Sequence, residues 1–159
     1  MRGLYTLLIQ VAGNMTARTR RASFTLRRGL YVYVGSAMGP HGQSLENRIS
    51  RHLRMRKKSY WHVDYVLRSA KTTVKGVVYA RSYEKLECKL ASQLTNESKE
   101  AIPIDGFGCS DCKCKSHLLL LREWTDPPAT LRMIERVFKS LGLSPVSILL
   151  KRAGQKVDA

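Results

Sequence analysis

Apolar and polar residues alternate along the first third of the chain in a way that predicts two core strands around a basic hairpin. Residues 3–11, GLYTLLIQV, combine apolar and β-branched side chains, which is typical of a buried strand. The run LYVYVGSA predicts a second core strand that ends at Gly35. The segment GNMTARTRRASFTLRRG between them has turn residues at both ends and an alternating middle, which predicts a basic hairpin arm.

A helical period follows the second strand. Ser44 is placed to cap a helix over 45–56, in which Leu45, Ile49 and Leu53 recur every four residues. This spacing puts the three apolar side chains on one face, so we expect that face to pack on the sheet.

The rest of the chain alternates further predicted helices and strands. Residues 83–95 predict an amphipathic helix whose buried face consists of Tyr83, Leu86, Leu90, Ala91 and Leu94. The other predicted elements are a short helix over 60–68, a strand over 73–80, a strand over 117–121, a helix over about 129–141 and a polar tail from 151. Strands that alternate with helices indicate a single α/β layer structure.

Charge is the strongest compositional signal. The 159 residues include 28 Lys and Arg against 12 Asp and Glu, a formal net charge of +16. Residues 1–58 hold twelve of the basic side chains and one acidic residue, Glu46. A field this one-sided attracts polyanions, so we expect nucleic acid as the partner; an acidic membrane surface or solubility alone are the alternatives. The hydrophobic fraction of 43% indicates a folded core and argues against a disordered basic tail.

The chain lacks the patterns of membrane insertion and export. No apolar run approaches the roughly 20 residues that cross a bilayer. Arg2 is followed by only about eight apolar or neutral residues, which does not make a secretory signal. We therefore expect a soluble, cytoplasmic protein with no membrane partner.

Several polar side chains lie where chemistry could be carried. Glu87 falls within the apolar arc of the predicted helix, where a carboxylate needs a cation, a metal ion or a hydrogen-bond partner; a structural ion pair or a rotated helix are the alternatives. Arg48 and His52 share one helix face that reaches a cleft or simply contacts DNA backbone. Tyr5, Tyr31 and Tyr33 either pack in the core or act on a water molecule at a strand end.

Three cysteines and a histidine form a compact group near residue 110. Cys109, Cys112, Cys114 and His117 are zinc-ligand types within nine residues. The C-x-C spacing is unusual for structural zinc, and four ligands so close in sequence strain a tetrahedral geometry. A disulfide and reduced structural thiols, which fit a cytosolic compartment, are the alternatives.

These residues, in this order, resemble the signature of the GIY-YIG nuclease superfamily. G-L-Y at 3–5 and Y-V-G at 33–35 match its two halves, and Arg48 and His52 match the helix that follows them. Glu87 matches the metal-binding Glu of a later helix.

The chain is most similar to a prokaryotic branch of that superfamily, marked by Y-V-Y-V-G-S-A, W-H-V-D-Y and S-D-C-K-C-K-S-H. The resemblance covers residues 1–121 and implies a nuclease domain there, with a small central antiparallel sheet flanked by helices and a basic hairpin insertion. Residues 122–159 would then form a C-terminal helical extension and polar tail.

The resemblance implies an endonuclease that hydrolyses DNA phosphodiester bonds, with repair or recombination as its setting. Glu87 would hold a single Mg²⁺ or Mn²⁺ ion, and Arg48 would contact the phosphate. Tyr5, with its pKa lowered by nearby cations, would orient or deprotonate the attacking water, and Gly35 would let the backbone approach the substrate. The implied catalytic residues are Tyr5, Tyr33, Gly35, Arg48, His52, His62 and Glu87.

Basic residues of the hairpin and of the first helix would bind backbone phosphates, which positions DNA without reading its sequence. They are Arg18, Arg20, Arg21, Arg27, Arg28, Arg51, Arg54, Arg56, Lys57 and Lys58. Two other interpretations remain open: a DNA-binding module without turnover on a nuclease-like scaffold, and an RNA-associated structural protein.

Overall fold

The computed structural model describes residues 1–40, 43–54, 59, 61–108, 114–122 and 124–150, and within these it shows eight strands and four helices. In chain order they are β1 (Gly3–Val11), β2 (Met15–Arg18), β3 (Ser23–Leu26), β4 (Gly29–Ala37), α1 (Leu45–Leu53), α2 (His62–Leu67), β5 (Thr72–Arg81), α3 (Glu87–Glu97), β6 (Ala101–Pro103), β7 (Leu118–Leu121), α4 (Pro127–Ser140) and β8 (Val146–Leu149). Within the same residues, no helix is long and apolar enough to cross a membrane.

Six strands form one antiparallel sheet in the order β6-β7-β4-β1-β5-β8. β1 lies at its centre and pairs with β4 along its whole length, from Gly3 opposite Ala37 to Val11 opposite Gly29. The predicted α/β class and the predicted core strands are therefore confirmed, although β4 continues to Ala37 rather than ending at Gly35.

The central strands are buried on both faces, because helices cover each side of the sheet. Tyr5, Leu7 and Ile9 of β1 share one apolar cluster with side chains from α1, α2 and the β2–β3 hairpin. Leu4 and Leu8 belong to the opposite cluster, which includes the buried faces of α3 and α4. Successive side chains of a strand point to opposite faces of the sheet. Because both faces are covered here, nearly every residue of β1 is buried and the strand is an almost continuous apolar run.

Strands β2 and β3 pair with each other as a separate two-stranded hairpin. Its turn is closed by Thr19, whose hydroxyl oxygen accepts a hydrogen bond from the Ala22 amide at 3.0 Å. Phe24 and Leu26 face the protein core, whereas the basic side chains between Arg18 and Arg21 are exposed at the tip. The hairpin is thus anchored by its apolar face and presents its charge outward.

Helix α1 begins as predicted and ends earlier. The Ser44 side chain accepts a hydrogen bond from the Asn47 amide at 3.3 Å, which confirms the predicted N-cap. Arg54 adopts an extended conformation with φ −72° and ψ 139°, so the helix stops at Leu53 and not at residue 56. The predicted short helix over 60–68 is confirmed as α2.

The prediction that a helix starts at residue 83 is wrong. The Ser82 hydroxyl accepts a hydrogen bond from the Glu84 amide at 3.2 Å and donates one to the Glu84 carbonyl at 2.9 Å, which holds this segment in a turn. Tyr83 is therefore 73% exposed instead of buried. Helix α3 begins at Glu87, and Leu90 and Leu94 of its predicted apolar face are buried.

Residues after 121 contribute to the same sheet and core. Asp126 caps α4, whose buried face packs against β5 and α3. The short strands β6 and β8 were not predicted. β8 pairs with β5 at one edge of the sheet and is partly exposed. The predicted tail from residue 151 lies outside the described residues.

Candidate functional site

A cleft of about 1090 Å³ opens beside the ends of β1 and β4 that lie nearest α1. Six of the seven predicted catalytic residues line it, namely Tyr5, Tyr33, Gly35, Arg48, His62 and Glu87. The seventh, His52, is buried next to Tyr5. The structure thus brings together residues that are up to 82 positions apart in the sequence.

Tyr5 and His52 form the buried centre of the site. The Tyr5 hydroxyl lies 2.7 Å from His52 Nε2, a hydrogen bond between strand β1 and helix α1. His52 Nδ1 lies 3.7 Å from the carboxylate of Asp64 on α2, a distance typical of an ion pair rather than of a hydrogen bond. A phenol, an imidazole and a carboxylate therefore follow one another inward from the cleft.

Asp64 is held by several partners, and its side chain is completely buried. Arg51 donates to both carboxylate oxygens at 2.9 and 3.1 Å, and the Trp61 amide donates at 2.9 Å. A buried carboxylate is stable only when it is paired in this way. The guanidinium of Arg51, which we predicted to bind phosphate, is engaged with this internal carboxylate.

The prediction of a lowered pKa for Tyr5 is wrong. Burial raises the pKa of the Tyr5 hydroxyl well above its ordinary value, and the neighbouring Tyr33 raises it further. The Arg48 guanidinium lowers this pKa by a smaller amount. Tyr5 is therefore a protonated phenol in the folded protein at neutral pH.

Arg48 is fixed at the cleft wall by contacts on three sides. Its Nη1 donates to the Ser36 carbonyl at 2.5 Å, and its Nη2 lies 3.4 Å from the Gln43 side-chain oxygen. Its guanidinium stacks 4.8 Å from the centre of the Trp61 ring. The Nε donor is buried and has no hydrogen-bond partner among the described residues.

The Tyr5 ring leaves no room for a side chain at position 35, which is therefore a glycine. The two residues lie opposite each other on β4 and β1. A Cβ atom at Gly35 would lie 2.5 Å from both Cζ and the hydroxyl oxygen of Tyr5, closer than atoms of folded proteins approach. We expected this glycine to admit the substrate; in the structure it is the Tyr5 ring that occupies the space.

His62 lies on the other side of the cleft, at the start of α2. Its Nδ1 accepts a hydrogen bond from the Gly108 amide at 2.8 Å, which leaves Nε2 to carry the proton of the neutral ring. Burial lowers the pKa of His62 below its ordinary value. His62 is thus a neutral donor at the cleft.

Glu87 stands at the first residue of α3 and not within a buried helix face. Its Oε2 atom is buried and has no hydrogen-bond partner among the described residues. Glu87 lines the cleft, and a carboxylate is the type of ligand that Mg²⁺ and Mn²⁺ prefer. The residues present therefore fit a divalent cation at this point.

A second group of potential ligands adjoins Glu87. Cys88, Cys114 and His117 place their donor atoms within 4.8 Å of one another. The predicted zinc set included Cys114 and His117, whereas its other two members, Cys109 and Cys112, lie outside the described residues.

Arg27 and Arg28 precede Gly29, at the end of β4 opposite to Gly35, so the basic residues assigned to DNA binding do not all surround this cleft. Arg21, at the hairpin tip, lines it directly. Arg18, Arg20, Arg27, Arg28 and Arg54 are exposed, and Arg56, Lys57 and Lys58 lie outside the described residues.

Sequence reasoning missed Asp64 as the partner of His52 and Cys88 as the partner of His117. Asp64 belongs to the W-H-V-D-Y motif and Cys88 directly follows Glu87, so both stood beside residues already singled out. Neither has a local signal, because each acquires its role from a residue on another element.

Residues 4–142 of the chain match the model of a protein family that is described as a domain of unknown function, DUF123. No curated protein and no solved structure matches the chain.

Proposed function

This chain belongs to the DUF123 family, and we propose that it is a divalent-metal-dependent endonuclease that hydrolyses phosphodiester bonds in DNA. One observation carries the proposal: Tyr5, Arg48 and Glu87 converge on a single cleft that also receives the basic hairpin tip at Arg21. A general base, a fixed cation and a metal-type carboxylate are the groups that phosphodiester hydrolysis requires.

Tyr5 and His52 would act together on the attacking water. The phenol of Tyr5 takes the proton of the water as its own proton passes to His52 Nε2, 2.7 Å away. Asp64 then stabilises the imidazolium that forms. This relay needs no free tyrosinate, and it therefore suits a phenol whose pKa burial has raised.

Arg48 would bind the phosphate that is attacked. Its guanidinium is held rigidly by Ser36 and Trp61, so little reorganisation is needed as charge develops on the non-bridging oxygens. The bond from the water oxygen to phosphorus forms while the bond to the leaving sugar oxygen breaks, and that oxygen takes up a proton from solvent.

A divalent cation held by Glu87 would supply positive charge beside the scissile phosphate when it is bound. Glu87 offers a single carboxylate, so we expect weak metal binding in the absence of DNA. The hairpin would contribute backbone contacts, which position the duplex but do not select a sequence.

The experiment compares cleavage by wild type and Glu87→Gln, with Glu84→Gln as the matched control on the exposed turn before α3. Supercoiled plasmid and a branched DNA are incubated with Mg²⁺ or Mn²⁺, and DNA affinity is measured separately by fluorescence anisotropy. We expect nicking by wild type and Glu84→Gln, and a loss of about 100-fold or more in Glu87→Gln with unchanged affinity. Equal cleavage by all three proteins would refute the role of Glu87.

A DNA-binding module without turnover is the second candidate. It is favoured by the burial of Tyr5, which is only 2% exposed and whose hydroxyl is already bonded to His52. Under this proposal wild type binds DNA with a steep salt dependence but leaves every substrate intact with either metal ion. A metal-dependent nick that Glu87→Gln abolishes would rule it out.

A further inference from the structure

The start of helix α3 and the loop before strand β7 place three soft donor atoms side by side. Cys88 Sγ lies 3.7 Å from His117 Nε2, and Cys114 Sγ lies 2.8 Å from the same nitrogen. All three donor atoms lie within 4.8 Å of one another. Cys88 and His117 are separated by 29 positions in the sequence, so it is the fold that brings them together.

The spacing of Cys88 and His117 is that of two ligands of one zinc ion. Zinc–sulfur bonds of about 2.3 Å and zinc–nitrogen bonds of about 2.0–2.1 Å at tetrahedral angles separate sulfur from nitrogen by about 3.6 Å. The Cys88 to His117 distance already has this value, and a shift of the Cys114 side chain by less than about 1 Å gives it the same spacing. Thiolate and imidazole ligands select zinc over the hard cations that a carboxylate prefers.

Backbone contacts hold His117, the residue that both cysteines approach, in place. The His117 amide donates to the Phe107 carbonyl at 2.9 Å, and the His117 carbonyl accepts from the Val34 amide at 2.8 Å. Gly108, with φ at +72°, passes so close that an added Cβ would lie 3.1 Å from the His117 Cβ. His117 itself is nearly fully buried. A donor fixed in this way loses little entropy when a metal ion binds.

We propose that Cys88, Cys114 and His117 bind one zinc ion, which cross-links the first turn of α3 to the segment that leads into β7. Both cysteines bind as thiolates and release their protons to solvent, while His117 binds through Nε2 in its neutral form. The site differs from the one that the sequence predicts, because Cys88 belongs to it. The proposal does not rest on nuclease activity, since its readout is metal content.

The test uses the full chain, reduced, stripped of metal and then loaded with one equivalent of Zn²⁺. Zinc is counted by mass spectrometry after gel filtration, for wild type, Cys88→Ser, and Lys89→Ser as the matched control on the exposed side of the same helix turn. We expect one zinc per chain in wild type and Lys89→Ser, and at least about a 100-fold lower affinity in Cys88→Ser. Cobalt substitution should give a thiolate charge-transfer absorption that weakens in the same variant.

A second measurement uses wild type alone, so its result does not depend on whether the variant folds. Zinc should protect Cys88 and Cys114 from alkylation, with the modified positions located by peptide mass spectrometry. Full zinc content in Cys88→Ser, no zinc in wild type, or equal alkylation of Cys88 with and without zinc would each overturn the proposal.

Discussion

The close approach of Tyr5 to Gly35 makes the substitution Gly35→Ala a sharp test of the site. The new methyl group would lie 2.5 Å from both Cζ and the hydroxyl oxygen of Tyr5. The Tyr5 ring cannot move freely, because it is 2% exposed and its hydroxyl is bonded to His52 at 2.7 Å. The strain must therefore displace the ring or the strand.

The expected cost follows from these contacts. Overpacking of a filled core costs about 1–3 kcal/mol, and loss of one buried hydrogen bond adds about 0.5–1.5 kcal/mol. We expect Gly35→Ala to lower the free energy of unfolding by about 2–4 kcal/mol and to abolish DNA cleavage, because the Tyr5 hydroxyl leaves His52.

Urea denaturation followed by circular dichroism measures this change as a lower midpoint at a constant slope. Gly13→Ala is the control, because its nearest atom would be the Lys71 Cδ at 3.9 Å, an ordinary contact. In a Tyr5→Leu background, where Cζ and the hydroxyl are both absent, Gly35→Ala should cost much less. A Gly35→Ala protein within 0.5 kcal/mol of wild type, a margin of about the error of such measurements, would refute the packing of Tyr5 on Gly35.

Three further predictions concern charge. Asp64→Asn removes a completely buried, paired carboxylate and should lower the free energy of unfolding, measured in urea, by about 3–5 kcal/mol. Asp105→Asn, at an exposed ion pair, should lower it by at most about 1 kcal/mol, and similar losses in the two variants would contradict the buried pairing. Burial lowers the pKa of His62, so the neutral ring stabilises the fold above the unfolded pKa of about 6.5, and this stability is lost as the pH falls. His62→Gln should therefore reduce the fall in the urea midpoint between about pH 7.5 and pH 5.5. An unchanged fall would contradict the burial of a neutral His62. Arg21→Gln should reduce the magnitude of the slope of log DNA affinity against log salt concentration by about 0.9. Arg132→Gln, on the exposed side of α4, should leave the slope unchanged. The same slope in Arg21→Gln and wild type would show that the hairpin tip does not contact DNA phosphates.

The zinc proposal and the nuclease proposal can fail separately. Zinc at Cys88 is read from metal content and alkylation, whereas the role of Glu87 is read from cleavage by Mg²⁺- or Mn²⁺-loaded protein. Glu87 and Cys88 are adjacent at the start of α3, so a loss of zinc is also expected to weaken cleavage by releasing Glu87 from its position.

The sequence by itself determined the central strands and the main residues of the cleft. The apolar run over 3–11 and the cap at Ser44 depend on neighbours in the chain, so their elements could be predicted from local pattern. The order of the tyrosine, arginine and glutamate motifs was sufficient to name Tyr5, Arg48 and Glu87 as candidates that the fold then placed in one cleft.

Tertiary structure alone decided the chemical state and the partners of these residues. The pKa of Tyr5 is raised because the folded protein buries its hydroxyl, and no local pattern reports that burial. Asp64 and Cys88 acquired their roles from His52 and His117, which belong to other elements. Side-chain chemistry is encoded residue by residue, but desolvation and distance between donors depend on packing between elements distant in the chain, and only the folded protein fixes them.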